Sequence, residues 1–161
     1  MLILSLLACG PDLRDPTIAA ARISGVEAVM RPLAQRHVSF LRDQPGCHVW
    51  REARGSFADS HASTCLLVAG PTVPFDARAQ ADLAVAAGAL RANGTPVLWA
   101  ELTYDASGTT EGLSLALDAG AFTRLSYVWS RGAPPAGLGS EQIVEPIPGH
   151  PGWSVVLEDW N

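Results

Sequence analysis

The chain contains no lysine, since all 11 of its basic residues are arginine. That absence excludes a Schiff-base lysine, a phosphate-loop lysine and a kinase-type lysine. Charge of either sign is scarce, at 17% of residues, and the formal net charge is −5. A chain this acidic lacks the clustered cations on which nucleic-acid binding depends, so nucleic acid is not an expected partner. Low charge with a slightly positive mean hydropathy also argues against intrinsic disorder. No stretch reaches the roughly 18 consecutive apolar residues of a membrane-spanning helix. No repeat at a fixed period is visible. Gly-x-Ser-x-Gly, His-Glu-x-x-His and glycine-rich phosphate-loop motifs are all missing, and with them any cofactor signature.

What is present amounts to one domain. The 161 residues are 48% apolar, enough to bury about two-thirds of the unfolded surface. Asp15-Pro16 forms a helix start, with Asp as cap and Pro at the first helical position. Ile23, Val26, Met30, Leu33, His37 and Leu41 follow at helical spacing, Pro32 is expected to kink or split that helix, and Pro45-Gly46 to end it. A second helix is expected after the cap Asp76, with Leu83, Ala86, Ala87 and Leu90 inward and Asn93-Gly94 as its stop. Short strands are expected at Cys47–Arg51 and Thr64–Ala69. Alternation of period two predicts a meander through 97–104, Leu113–Leu117 and Leu125–Trp129, and Trp153–Leu157 reads as a last strand. Residues 132–152, with five Gly and five Pro, read as an irregular excursion and as the main contact surface. Its deletion is expected to spare the fold. The expected class is α+β, two helices packed on a mostly antiparallel sheet of five to six strands.

The N-terminal Met1–Ala8 is too short to span a bilayer but suits the apolar part of a signal peptide. Leu6-Leu7-Ala8-Cys9 resembles the lipobox of bacterial lipoproteins, with Ala8 and Leu6 at matching positions. Leu7 stands where a small residue is commoner, and no Arg or Lys precedes it. The resemblance implies a signal peptide over 1–8, lipidation of Cys9, a short tether over 9–15, and a single domain over 16–161 held at the bilayer of a cell envelope. The domain itself resembles no recognised family.

With Cys9 lipidated, Cys47 and Cys65 remain as a disulfide pair in an oxidising compartment. The alternative is a pair of free thiols. Cys47, His48, His61 and Cys65 also have the composition of a zinc site, but Cys47 and His48 are adjacent and on a strand point to opposite faces. Asp59 and His61 are the weak candidates for hydrolytic chemistry, in a segment better read as polar loop. Glu101 and Asp105 would share a strand face about 13 Å apart, too far to couple. His37 belongs to the helix stripe, and His150, between Gly149 and Pro151, to an exposed loop. Of five tryptophans, Trp99 is the candidate ligand contact, because Leu98 and Leu102 take the inner face. The functional reading is a membrane-anchored, non-enzymatic domain that binds a protein or small ligand. A small hydrolase or zinc enzyme centred on His61 and a cytoplasmic interaction module are the alternatives.

Overall fold

The structure is a computed structural model, and the residues described are 12–59, 71–92, 94–119, 123–132 and 141–159. Its elements are α1 (Pro16–Gln35), β1 (Phe40–Gln44), β2 (Cys47–Glu52), β3 (Gly55–Ala58), α2 (Ala77–Ala92), β4 (Trp99–Tyr104), β5 (Thr110–Ala119), β6 (Thr123–Ser130), β7 (Glu141–Pro146) and β8 (Trp153–Asp159). All eight strands join one antiparallel sheet in the order β3-β2-β1-β4-β5-β6-β8-β7.

The class remains broadly α+β, but the sheet has eight strands, where five to six were expected, and strand outweighs helix. Three strands escape the sequence pattern for separate reasons. β1 continues the helical spacing of α1, so Leu41 counts equally well in either period. β3 has four residues with Phe57 alone fully buried. β7 lies inside the Gly- and Pro-rich excursion, where the final Pro146 occupies an edge strand and so interrupts no interior ladder. Residues 132–152 are therefore not a dispensable loop. They contain an edge strand and Ile147, which is buried in the core, so their deletion would damage the fold. The strand expected at Thr64–Ala69 falls outside the described residues.

Both helix starts follow the caps. The Thr17 amide donates to Asp15 Oδ1 at 2.7 Å and the Ala79 amide to Asp76 Oδ1 at 2.6 Å. The Ala79 amide is also the main reason that the Asp76 carboxyl titrates below its usual range. α1 neither splits at Pro32 nor runs on to Leu41. Pro32 falls in its last turn, so it forfeits the one bond to Ala28 O with only three helical residues still to follow, and the helix closes at His37. His37 has a left-handed φ of 51°, the Val38 amide reaches back to Leu33 O at 3.1 Å, and the His37 amide to Ala34 O at 3.0 Å. That is a Schellman closure with histidine where glycine is usual. The His37 ring packs on Tyr104, centroids 5.3 Å apart. Tyr104 Oη donates to Val38 O at 2.7 Å, and burial pushes its pKa up to about 12.

A repeat that the sequence does not display governs the architecture. α1-β1-β2-β3 is followed by α2-β4-β5-β6, and the two units meet where β1 pairs with β4. A pseudo-two-fold axis through the pair Leu41–Ala100 exchanges Phe40 with Trp99 and Asp43 with Leu102. Ala19, Ile23, Val26 and Met30 of α1 correspond to Ala79, Leu83, Ala86 and Leu90 of α2, the inward face of each helix. β8 and β7 extend the second unit only. Both helices cover one face of the sheet, over the row Leu41, Ala100, Leu115, Tyr127 and Val155.

The β4–β5 turn carries a pH prediction. Asp105 Oδ1 accepts from Ser107 Oγ at 2.6 Å and from the Ser107 and Thr109 amides at 2.9 Å each. Arg131 reaches Oδ2 at 3.1 Å. Ser107 first and Thr109 next draw the Asp105 pKa down to about 2. A carboxyl depressed in the folded state stabilises it above the unfolded pKa of about 3.9 and ceases to as pH falls towards the folded value. Melting curves of the parent and of Asp105→Ala are therefore expected to differ by a constant amount above pH 5, with the gap closing towards pH 2. A gap independent of pH would contradict this.

Candidate functional site

A cleft lies between each helix and the sheet, and the pseudo-two-fold relates the two clefts. The larger lies between α1 and β4-β5-β6-β8, with a volume of about 410 Å³. Its floor is one cross-strand row on the helix-facing side: Leu102, Leu113, Trp129 and Trp153. Its roof is Glu27, Met30, Arg31 and Ala34, residues three and four apart that share one side of α1. The turn between β7 and β8 closes one end. There the Trp153 indole N–H donates to Glu27 Oε1 at 3.0 Å, and His150 Nδ1 lies 3.8 Å from the same oxygen. His150 is thus not an exposed loop residue, its side chain being only 18% accessible.

Gly152 makes this wall possible. Its φ is +82°, and a Cβ there would stand 2.8 Å from Ser130 O and 3.0 Å from Trp129 Nε1. Only a residue without a side chain lets the Trp129 ring lie against the turn. The result is an apolar slot with two indoles, a methionine and a few convergent polar groups, the usual make-up of a small-ligand site. Arg31 is exposed at its rim, and no described carboxylate pairs with it.

The equivalent cleft beside α2 measures about 280 Å³ and is lined by Asp43, His48, Asp59, Phe75, Leu83 and Arg91, among others. Its charged residues pair with one another. Arg91 pairs with Asp43 Oδ2, His48 Nδ1 lies 2.6 Å from Asp43 Oδ1, and His48 Nε2 lies 3.8 Å from Asp59 Oδ2. Burial raises the Asp43 pKa, but the hydrogen bonds from Arg91 and His48 outweigh it and the net direction is down.

The sequence-derived candidates are dispersed by this geometry. Asp59 receives the His48 amide on Oδ1 at 3.1 Å and belongs to the α2 cleft. His61 and Cys65 lie outside the described residues. His48 turns to Asp43 and the helices, whereas Cys47 packs with Val49 beside Phe40 and Ala58 on the other face. Among the described residues no group of three His, Cys, Asp or Glu side chains is arranged to hold a metal ion. Cys47 is disulfide-bonded, and its partner lies outside the described residues. Cys9 lies outside them as well.

Trp99 sits on the face away from the helices with the Arg42 guanidinium 5.8 Å above its ring. It lines neither helix cleft. That outer face has its own depression of about 550 Å³ over β4-β5-β6, bounded by Glu101, Glu111, Ser114, Val128 and Gly132. It is an open hollow on a single layer, and its rim at Gly132 leads into residues outside those described. A third groove, of about 310 Å³ between α1 and α2, overlies Trp50. There Trp50 Nε1 and Asp82 Oδ2 are buried without a hydrogen-bond partner among the described residues.

Glu27, Met30, Arg31, Trp129 and Trp153 were not singled out from the sequence. The available signal was the pair of tryptophans at inward positions of two strands. It acquires meaning only when β8 is known to pair with β6 and to set Trp153 opposite Trp129.

These features define an α+β domain with a preformed apolar cleft under one helix. No protein-family model, curated protein or solved structure matches the chain. Among the described residues no helix is long and apolar enough to cross a membrane.

Proposed function

We propose that the protein is an envelope lipoprotein, anchored in the bilayer through Cys9, whose single non-enzymatic domain binds a small ligand in the cleft beneath α1. The observation that carries the reading is the Trp129–Trp153 wall, an aromatic surface half-covered by α1 and completed by Gly152. The cleft lies along the C-terminal half of α1, and Cys9 precedes that helix in the chain. Asp12 and Leu13 precede the helix, and Leu13 O accepts a hydrogen bond from Tyr127 Oη. Glu27 lies about 17 Å farther along the axis at 1.5 Å per residue. A lipid on Cys9 would hold the N-terminal end of α1 near the membrane and turn the cleft away from it.

Cysteine arithmetic supports the same reading. The β2–β3 register sets Val49 beside Ala58 and His48 beside Asp59, so the chain leaving Asp59 starts next to Cys47, six residues before Cys65. Cys9, three residues ahead of Asp12, can extend at most about 11 Å from it. Leu13 contacts β6, four strands from β2, which is about 19 Å across the sheet. With the ~5.5 Å that a disulfide spans between Cα atoms, Cys9 would need a fully extended chain to reach β2, whereas the run to Cys65 starts beside Cys47. Cys65 is the partner we assign, which leaves Cys9 for the lipid.

The test is the intact mass of the protein from its own cells, before and after reduction with alkylation. The expected result is loss of residues 1–8, an added diacyl or triacyl mass, and two cysteines that label only after reduction. A full-length chain without lipid would overturn the anchor and favour a cytoplasmic interaction module.

A further inference from the structure

We propose that the cleft beneath α1 takes an organic carboxylate, with its apolar body against Met30, Leu113 and Trp129 and its carboxylate on Arg31. The inference rests on the binding role proposed above and names the ligand class for that site. It comes from comparing the two clefts that the pseudo-two-fold relates.

The helix correspondence that matches Ala19 with Ala79 and Met30 with Leu90 also matches Arg31 with Arg91. The strand correspondence matches Leu102 with Asp43. In the α2 cleft the arginine is satisfied from within, because β1 supplies the Asp43 carboxylate and Arg91 pairs with it. In the α1 cleft β4 supplies Leu102 at that position, a buried apolar side chain. Arg31 and Leu102 line the same cavity, and no described carboxylate pairs with Arg31. In one cleft the arginine is thus paired with a carboxylate of the sheet. The other keeps the arginine, has no acid at the β4 position and is the larger of the two, its one carboxylate being Glu27 on α1 itself.

The second charged group of the lining is Glu27. The Glu27 carboxylate lies in the same cavity, with its Oε1 holding the Trp153 indole and facing His150. With its Oε1 held by the Trp153 indole and no ion pair to Arg31 one turn along the helix, this carboxylate leaves the guanidinium open to a ligand. Guanidinium and carboxylate meet in two parallel hydrogen bonds, the geometry that favours arginine for this recognition. The row of Leu113 and Trp129 accepts an alkyl chain or a single ring, which the available 410 Å³ accommodates.

The experiment is a titration of the purified full chain with phenylacetate and hexanoate, each against its own primary amide, followed by tryptophan fluorescence and calorimetry. Each acid is expected to bind about tenfold or more tightly than its amide, the scale of a hydrogen bond to a charged group. Arg31→Gln should abolish that preference without changing the melting temperature, because the side chain is exposed. Arg31→Lys should restore part of it. If the amides bind as tightly as the acids, or Arg31→Gln keeps the preference, the carboxylate assignment falls while the binding role stands. If none of the four compounds binds, both fall.

Discussion

Trp153→Ala is expected to destabilise the domain by about 4 kcal/mol, the middle of the range for truncating a buried tryptophan. The side chain is 4% exposed and stands opposite Trp129 in the row that floors the α1 cleft. Its truncation removes core contacts and also leaves Glu27 Oε1 without the indole donor. Trp153→Phe keeps most of the packing and loses only the N–H, so it should cost about 1–2 kcal/mol. Denaturant unfolding of the three proteins checks the pair, read as a fall in midpoint at constant slope. A cost below 1 kcal/mol for Trp153→Ala would mean that the tryptophan row does not pack as core. The same substitution should also abolish ligand capture at concentrations where the protein remains folded.

Cys47→Ser together with Cys65→Ser is expected to lower stability by about 3 kcal/mol, the chain-entropy value for a loop of this length. The bond would tie β2 near one sheet edge to the segment that follows β3. Among the described residues β3 is a four-residue edge strand held by its ladder with β2, the Phe57–Val73 bridge and the Phe57–Phe75 ring contact. Reduction of the parent protein should produce the same loss. Cys65→Ser alone should cost as much as the double substitution; if it costs nothing while reduction still destabilises, Cys47 has a different partner and Cys9 becomes the candidate. That outcome would also remove the free cysteine on which the lipid anchor depends.

Local signals were reliable where one residue type answers one geometric need. Asp15 and Asp76 cap the two helices because a short carboxylate reaches the free amides of a first turn. The β4-β5-β6 meander is legible because its apolar residues alternate over a half-covered sheet. The opposite orientations of Cys47 and His48 follow from strand pleat alone. Where two periods coincide, the sequence is ambiguous. Leu33, His37 and Leu41 fit a helix stripe, yet the chain closes at His37 with a positive φ that histidine seldom adopts.

By itself the sequence determined the caps, the second helix and the central meander, each written in residues close together in the chain. Only the tertiary structure decided the eight-stranded sheet, the pseudo-two-fold and the cleft. The repeat is hidden because the units share inward-facing positions and not residue identities, with Val26 answering to Ala86 and Asp43 to Leu102. The cleft is hidden because its wall joins Glu27 of α1 to Trp153 of β8, and neither residue carries a local mark of the other. Which arginine meets a carboxylate within the fold, and which faces an open slot, is settled by cross-strand pairing over long separations. That information exists only once the sheet has formed.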